Sequence, residues 1–308
     1  MTNENTRSIV LGDVEVLRVV EWQGPFGPAG TLVPEAGAEV WKANEEWLAP
    51  DHWAPDDDSA VMALQSWVLR SGGRTVLVDT GVGDGRERPH SPQFHRRRDG
   101  FLDRLERAGI RPEDVDVVVN THLHADHVGW NTRDAEGEWV PTFPNAQYLL
   151  PAADDFHFGP ENGYGGGLRE DDRLVYGDSV APVHRAGLVT LWEGTHRIDG
   201  NLTLESAPGH TPGSAVLRLA SGTDRAVFVG DLLHSPVQIL DPGCASCFCL
   251  DPAEAARSRR RVLERAADAR ELVVPAHFGG AGAFEVRRDG RGFALAGWAS
   301  YGPPRVSR

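Results

Sequence analysis

The run Asn120-Thr121-His122-Leu123-His124-Ala125-Asp126-His127-Val128-Gly129 constrains this chain more than any other feature, because four groups able to bind a metal ion fall within six residues. It follows the apolar stretch Val115 to Val119, so it reads as the loop at the C-terminal end of a buried strand, where a rigid scaffold aims side chains into a cleft. Imidazole and carboxylate ligands bind zinc at about 2.0–2.2 Å, so a His-x-His-x-Asp-His loop can send alternate residues to two neighbouring ions. Three more ligand types stand far along the chain, each at the end of an apolar strand. His210 is framed by Pro208-Gly209 and Thr211-Pro212-Gly213, Asp231 ends Val227-Phe228-Val229-Gly230, and His277 follows Leu272-Val273-Val274-Pro275-Ala276. A single such residue would pass as a hydrogen-bonded core histidine or a turn cap; seven at strand ends point to a metal site.

Composition bounds what surrounds that site. The 308 residues are 40% hydrophobic and 25% charged, which excludes a disordered or fibrous chain, and no apolar run reaches the roughly 18 residues of a membrane helix. Acidic residues outnumber basic ones 45 to 31, giving a net charge of −14, which opposes binding to a nucleic-acid backbone or an anionic membrane. The expected partner is a small-molecule substrate, with no nucleic acid and no membrane. Met1 to Arg7 is polar and leads straight into Ser8-Ile9-Val10-Leu11 with no export signal, so the cytoplasm is the expected location. Cys244, Cys247 and Cys249 share one loop, and an odd clustered count without an export signal predicts free thiols.

Patterning predicts strands at Val14 to Val20, Val61 to Leu69 and Thr75 to Val78, the last two joined through Ser71-Gly72-Gly73-Arg74 as a hairpin. Trp22 to Ser59 reads as a long loop with one short helix. A helix is expected over Phe94 to Ala108, stopped by Gly109, and a short one over Pro151 to Phe158. Gly159 to Gly187 is Gly-rich and long enough for a functional loop. Strands are expected at Leu188 to Leu191, Leu202 to Glu205, Ala215 to Leu219 and Ala226 to Val229, then a helix over Pro252 to Ala269 and a last core strand at Leu272 to Val274. Two such strand groups with helices predict an α/β protein (α+β), an αββα sandwich of two mixed sheets flanked by helices, in one domain spanning 1–308 with a long N-terminal loop segment at about 22–59.

The seven ligand-type residues, with Asp79-Thr80-Gly81 after the strand Val76-Leu77-Val78, resemble the motif set of the metallo-β-lactamase-fold hydrolases. The resemblance runs from Asp79 to His277. It implies that one ion takes His122, His124 and His210, the other Asp126, His127 and His277, and that Asp231 bridges, while Asp79 orients the metal loop without binding metal itself. Gly230-Asp231-Leu232-Leu233-His234-Ser235-Pro236-Val237-Gln238 and the terminal Pro275-Ala276-His277-Phe278 are similar to the branch holding methyl parathion hydrolase and the acyl-homoserine lactonases and esterases. Asp231 stands where class B β-lactamases commonly carry cysteine, which disfavours β-lactam hydrolysis, and the acidity disfavours the nuclease branches. Ser214 replaces a histidine of many relatives, which puts local hydrogen bonding in question rather than the metal set.

Two ions about 3.5–4 Å apart hold a bridging water acidic enough to be hydroxide near pH 7. The expected function is therefore a dinuclear metal-dependent hydrolase whose metal-bridging hydroxide attacks an ester, lactone or related acyl or phosphoryl substrate, as a lactonase, esterase or phosphotriesterase, with Asp126 and Asp231 as catalytic residues. Zinc is the first expectation for the two divalent ions, with Mn²⁺, Co²⁺ or Fe²⁺ as alternatives. An iron-dependent oxidoreductase of the same fold and a non-catalytic metal-binding protein remain the rival functions. His234 either faces the pocket or is a structural histidine. Phe26 and Trp53, with Trp41 and Trp47, either line an apolar mouth or pack the N-terminal segment. Arg257, Arg259, Arg260 and Arg261 read as the solvated face of a helix.

Overall fold

The computed structural model describes residues 6–162, 168–290 and 292–302. They fall into two compact units, one made from the described parts of 1–22, 64–200 and 301–308, the other from 23–63 and 201–300.

Strands β1 (Thr6–Leu11), β2 (Val14–Pro28), β3 (Trp53–Ala54), β4 (Ser59–Ser71), β5 (Arg74–Val78) and β6 (Val117–Val119) come first in the chain, followed by the hairpin β7 (Thr132–Ala135) and β8 (Glu138–Pro141), then β9 (Gln147–Pro151), β10 (Val189–Trp192) and the short β11 (Thr195–Arg197). The principal sheet of the first unit runs β1-β2-β4-β5-β6-β9-β10. It is mixed: β1/β2 and β4/β5 are antiparallel, while β5/β6, β6/β9 and β9/β10 are parallel. Ser71 pairs with Arg74 across Gly72 and Gly73, whose φ values of 57° and 77° give the hairpin turn its twist. Parallel β5, β6 and β9 end side by side, which sets the loops at 79–83 and 120–129 next to each other.

Helices close one face of this sheet. Phe101, Leu105, Val118, Tyr148, Phe158, Tyr176, Val180 and Val183 share one buried cluster. The helix expected over Phe94 to Ala108 covers only Phe101–Arg107. Residues 94–100 are loop because their arginines bond locally: Arg97 pairs with Asp99 at 2.6 Å and Arg96 with Glu87, and Gly100 is left-handed at φ 68°. The loop expected over Gly159 to Gly187 is largely helical. Residues 163–167 lie outside the described residues, but Glu170–Val175, a wide turn at Tyr176–Val180 and Ala181–Arg185 follow one another. Asp178 in that turn forks both oxygens onto buried Arg88 at 2.7 and 2.9 Å.

In the second unit, β12 (Leu202–Ser206), β13 (Ala215–Ser221), β14 (Asp224–Gly230), β15 (Leu272–Pro275), β16 (Phe284–Asp289) and β17 (Gly292–Trp298) lie in chain order in a sheet that is antiparallel except for parallel β14/β15. The expectation that Leu272 to Val274 is the last core strand is corrected, since Phe284, Val286 and Phe293 of β16 and β17 join the buried cluster of Val227, Val229 and Val273. The helix Pro252–Ala269 starts where Asp251 Oδ1 accepts the Glu254 N–H at 2.9 Å and Pro252 occupies the first turn. Its buried residues, Ala255, Ser258, Arg259, Val262, Leu263 and Ala266, recur at helical spacing.

Two expectations change here. Residues 22–59 are not mainly loop: β2 continues to Pro28 and helices Ala29–Leu32, Ala38–Ala43 and Glu45–Leu48 precede β3. They form a satellite core of Leu32, Val33, Trp41, Leu48, Trp53 and Met62 with Val237 and Cys244. Arg259 is not on a solvated face. It is 1% exposed, and donates to the carbonyls of Leu232 (2.5 Å), Pro242 (2.7 Å) and Cys244 (2.9 Å), clasping the loop after β14.

Among the described residues no helix is long and apolar enough to cross a membrane.

Candidate metal centre

In the first unit the β5 and β6 loops build one polar knot around Asp79. Its backbone is left-handed at φ 55°, a conformation costly for a non-glycine residue, and the buried carboxylate faces the 120–129 loop. Oδ1 accepts the Thr121 N–H at 2.7 Å; Oδ2 accepts the Thr121 hydroxyl at 2.9 Å and His127 Nδ1–H at 2.9 Å. Because the Thr121 hydroxyl spends its proton on Asp79, it accepts from His122 Nδ1 at 3.1 Å. One carboxylate therefore fixes the tautomers of two histidines, leaving the Nε2 lone pairs of His122 and His127 to act as ligands. His122 Nε2 lies 3.1 Å from His124 Nδ1, and the His122 and His127 rings are 4.0 Å apart. Asp126 Oδ1 is 3.8 Å from His127 Nε2.

Other buried groups hold this loop. Asn120 Nδ2 donates to the His127 carbonyl at 2.8 Å, and Asp154 Oδ2 accepts the Leu123 N–H at 3.0 Å. Asp154 is fully buried in the short helix Ala152–Phe158; its sequence context, Ala153-Asp154-Asp155, carries no signal that separates it from a solvated helix start. Glu21 lies against the turn after Asp79, accepting Val82 N–H at 3.0 Å and Trp130 Nε1–H at 2.9 Å. Burial pushes its carboxyl up to about 7, against the lowering effect of those two donors. A side chain at Gly81, φ 59°, would strike Glu21 Oε2, so the glycine is required for this close approach.

In the second unit three imidazoles surround one carboxylate. Asp231, at the end of β14, has Oδ2 3.3 Å from His210 Nε2 and 3.1 Å from His234 Nε2, and Oδ1 3.0 Å from His277 Nε2. His277 Nδ1 lies 3.0 Å from the Ala63 carbonyl, which can only accept, so Nδ1 carries a proton. His277 Nε2 and Asp231 Oδ1 then either share an imidazolium proton or present two lone pairs to each other, an arrangement that a shared cation resolves. The ligand atoms of Asp231, His234 and His277 lie within 4.8 Å of one another. Nitrogen-rich sets with one carboxylate suit a borderline divalent ion such as zinc. Burial pushes the His234 imidazole below its ordinary pKa, toward the neutral form. Gly209 positions His210: at φ 130° it sits so close to the helix start that a Cβ would meet Ala255 N at 2.0 Å. Ser214 Oγ accepts the Thr211 N–H at 2.9 Å and pairs with its hydroxyl at 2.7 Å, closing the turn that the missing histidine put in question.

Phe26 and Trp53 differ in placement. Trp53 is 4% exposed, 6.2 Å from Trp41 by ring centroid, and its Nε1–H donates to Asp58 at 2.9 Å, the environment of a core residue. Phe26 is half-buried, edge-on to Phe248 at 6.2 Å, and Phe248 lies 5.8 Å from His234. All three cysteines are free thiols.

Residues 62–277 match the model of the metallo-beta-lactamase superfamily. The chain belongs to that superfamily. Among curated relatives it is 29% identical over 205 residues, 66% of this chain, to mouse metallo-beta-lactamase domain-containing protein 1. It is 31% identical over 57% of its length to ribonuclease TTHA0252 of Thermus thermophilus, and 32% identical over 39% to the N-acyl homoserine lactonase AttM of Rhizobium radiobacter. The matches span 58%, 36% and 42% of those relatives' own lengths. Among solved structures, AidC, a dizinc quorum-quenching lactonase in complex with an N-acyl homoserine product, aligns with TM-score 0.78 at 20% identity over 96% of this chain and 98% of that one. The superfamily member described here thus has the metallo-β-lactamase fold, with mixed sheets and helices of the α/β class.

Proposed function

We propose that this superfamily member is a dinuclear metal-dependent hydrolase of small-molecule esters or lactones, with phosphotriesters as a further candidate class. His122, His124 and His210 would hold one divalent ion, Asp126, His127 and His277 the other, and Asp231 both. The observation that carries this reading is the pre-set ligand chemistry within each unit: a carboxylate ringed by three imidazoles in one, and a loop whose two histidines have tautomers dictated by Asp79 in the other. Bound divalent ions, zinc first, would supply a water nucleophile ionised near neutral pH and Lewis-acid stabilisation of the developing negative charge. The chain's own groups do the rest. Asp79 and Thr121 hold His122 and His127 in the ligand tautomer, the Ala63 carbonyl does so for His277, and Asp126 would carry a proton to the leaving group. The lactonase relatives support a lactone substrate; the net charge of −14 supports a small molecule over nucleic acid, and the cytoplasm is the location in keeping with free thiols.

The test is a metal-reconstituted screen across lactones, aryl esters, thioesters and phosphotriesters. Turnover with two zinc-type ions per chain is expected. One redox-active iron with oxygen consumption would mean an oxidoreductase, RNA cleavage a nuclease, and full metal loading without turnover a binding protein.

A further inference from the structure

Two of the imidazoles around Asp231 are held in different ways. The His234 and His277 rings stack with centroids 5.5 Å apart and planes 27° apart, and their Nε2 atoms face the two oxygens of one carboxylate, His277 at 3.0 Å from Oδ1 and His234 at 3.1 Å from Oδ2. The other ring nitrogen separates them. His277 Nδ1 has the Ala63 carbonyl as acceptor at 3.0 Å, which leaves the Nε2 lone pair to act as a ligand. His234 Nδ1 is buried and has no hydrogen-bond partner among the described residues. A proton on it, in the neutral ring or in the imidazolium, would be a buried N–H donor without an acceptor, which is rare in folded proteins. In the neutral ring it would also turn the Nε2 lone pair against those of Oδ2. With the proton on Nε2 both conflicts vanish: Nε2–H donates to Asp231 Oδ2, and what remains unmatched is an acceptor, tolerated more often than a bare donor. Ser246 Oγ stands 3.5 Å from the same Nε2, a longer contact than the one to the carboxylate. The backbone is locked to match. Buried Gln238 accepts the N–H groups of His234 at 2.8 Å and Ser235 at 3.2 Å on Oε1, and its Nε2 donates to the Cys244 carbonyl at 2.9 Å, which also takes Arg259 Nη1 at 2.9 Å.

We propose that His234 is a positioning residue for Asp231 and not a metal ligand: its Nε2–H donates to Oδ2 and fixes the rotamer of the carboxylate. Of the three groups close enough to share an ion, Asp231 and His277 are then ligands and His234 serves them. The hydrogen bond occupies one lone pair of Oδ2, leaving Oδ1 and the rest of Oδ2 for ions. Without the donor the carboxylate turns about its Cβ–Cγ bond, and ion binding has to restore its orientation. The effect on metal affinity rests on the proposed reading of Asp231 as a ligand; the placement of the His234 proton does not.

The test is ¹⁵N spectroscopy of histidine-labelled wild type, before and after zinc loading, with zinc affinity measured by chelator competition in His234→Leu and His234→Gln. The His234 proton is expected on Nε2 in both states, whereas His277 carries its proton on Nδ1 and its Nε2 shifts on zinc loading. Leucine fills the space of the ring without a donor, and a loss of roughly 10- to 100-fold in zinc affinity is expected. Glutamine returns an N–H donor to Asp231 and should recover most of that loss. A His234 proton on Nδ1, or an Nε2 resonance that shifts with zinc as that of His277 does, overturns the proposal. Zinc affinity in His234→Leu equal to that of wild type overturns the positioning role, and a raised KM alongside it would make the residue a substrate contact. A glutamine variant no better than the leucine one overturns it too. If His234→Leu does not fold, the wild-type spectra decide the assignment. A wild type that binds no zinc refutes the metal reading instead, and the position of the His234 proton in the metal-free protein then still decides the hydrogen bond.

Discussion

Replacing Asp79 by asparagine changes one atom in a buried knot and isolates the tautomer control of the metal loop. In the native arrangement three donors converge on two acceptor oxygens: Thr121 N–H on Oδ1, and Thr121 O–H with His127 Nδ1–H on Oδ2. Asparagine offers one acceptor oxygen and one NH₂. If the oxygen stays on Thr121 N–H, the NH₂ faces His127 Nδ1 and forces that nitrogen to accept; the ring proton moves to Nε2, and the ligand lone pair is lost. If the amide flips, the NH₂ collides with the Thr121 N–H. Either way one buried donor is opposed, which costs about 1–3 kcal/mol, equivalent to roughly 10- to 100-fold in metal affinity. Competition against a zinc chelator measures the affinity, and ¹⁵N chemical shifts of His127 report the tautomer. Zinc affinity within about twofold of wild type, or a wild-type metal-free protein with its His127 proton on Nε2, would refute the reasoning.

Three further outcomes are expected. Asp231→Ala removes the carboxylate that faces His210, His234 and His277; turnover should vanish and both ions should bind weakly, and near-normal turnover and metal content by elemental analysis would contradict the bridging role. Trp53→Ala should cost about 3–5 kcal/mol in denaturant unfolding, because its ring is buried beside Trp41, whereas a loss under about 1 kcal/mol with altered substrate preference would restore the entrance role. Burial holds the Glu21 carboxyl near 7, above its unfolded value, so the folded state binds the extra proton between about pH 4.5 and 7. Stability should therefore fall by about 3 kcal/mol as pH rises through that window and level off above it. Glu21→Gln should flatten the slope, and an unchanged slope in the variant would show that another group is responsible.

Where the sequence was informative, one local signal pointed one way. Asp251-Pro252 with an apolar stripe marks both the start and the face of the helix Pro252–Ala269, and Gly72-Gly73 marks the hairpin turn. Signals that compete were harder to read. Phe94, Phe101 and Leu105 have helical spacing, but the arginines between them find nearer partners in Asp99 and Glu87, and the backbone before Phe101 follows those bonds. Gly177 and Pro182 disguise the helical segment 170–185, whose Tyr176, Val180 and Val183 fill the core. In the site, the ligand-type residues stand out by type and spacing, whereas Asp154 and Glu21 act through groups distant in sequence, Asn120 acts through a carbonyl and a side chain of the following turn, and none of the three leaves a local pattern. Arg259 shows the same limit. Its neighbours Arg257, Arg260 and Arg261 are exposed, and only the carbonyls of the loop after β14 distinguish it.

The most direct test of the central claim is anomalous diffraction at the zinc edge from zinc-loaded crystals. Two peaks per chain are expected, one within about 2.0–2.2 Å of ligand atoms from His122, His124 and His210, the other from Asp126, His127 and His277, with Asp231 reaching both. A single peak, or two peaks with His210 or His277 turned away from them, would contradict it.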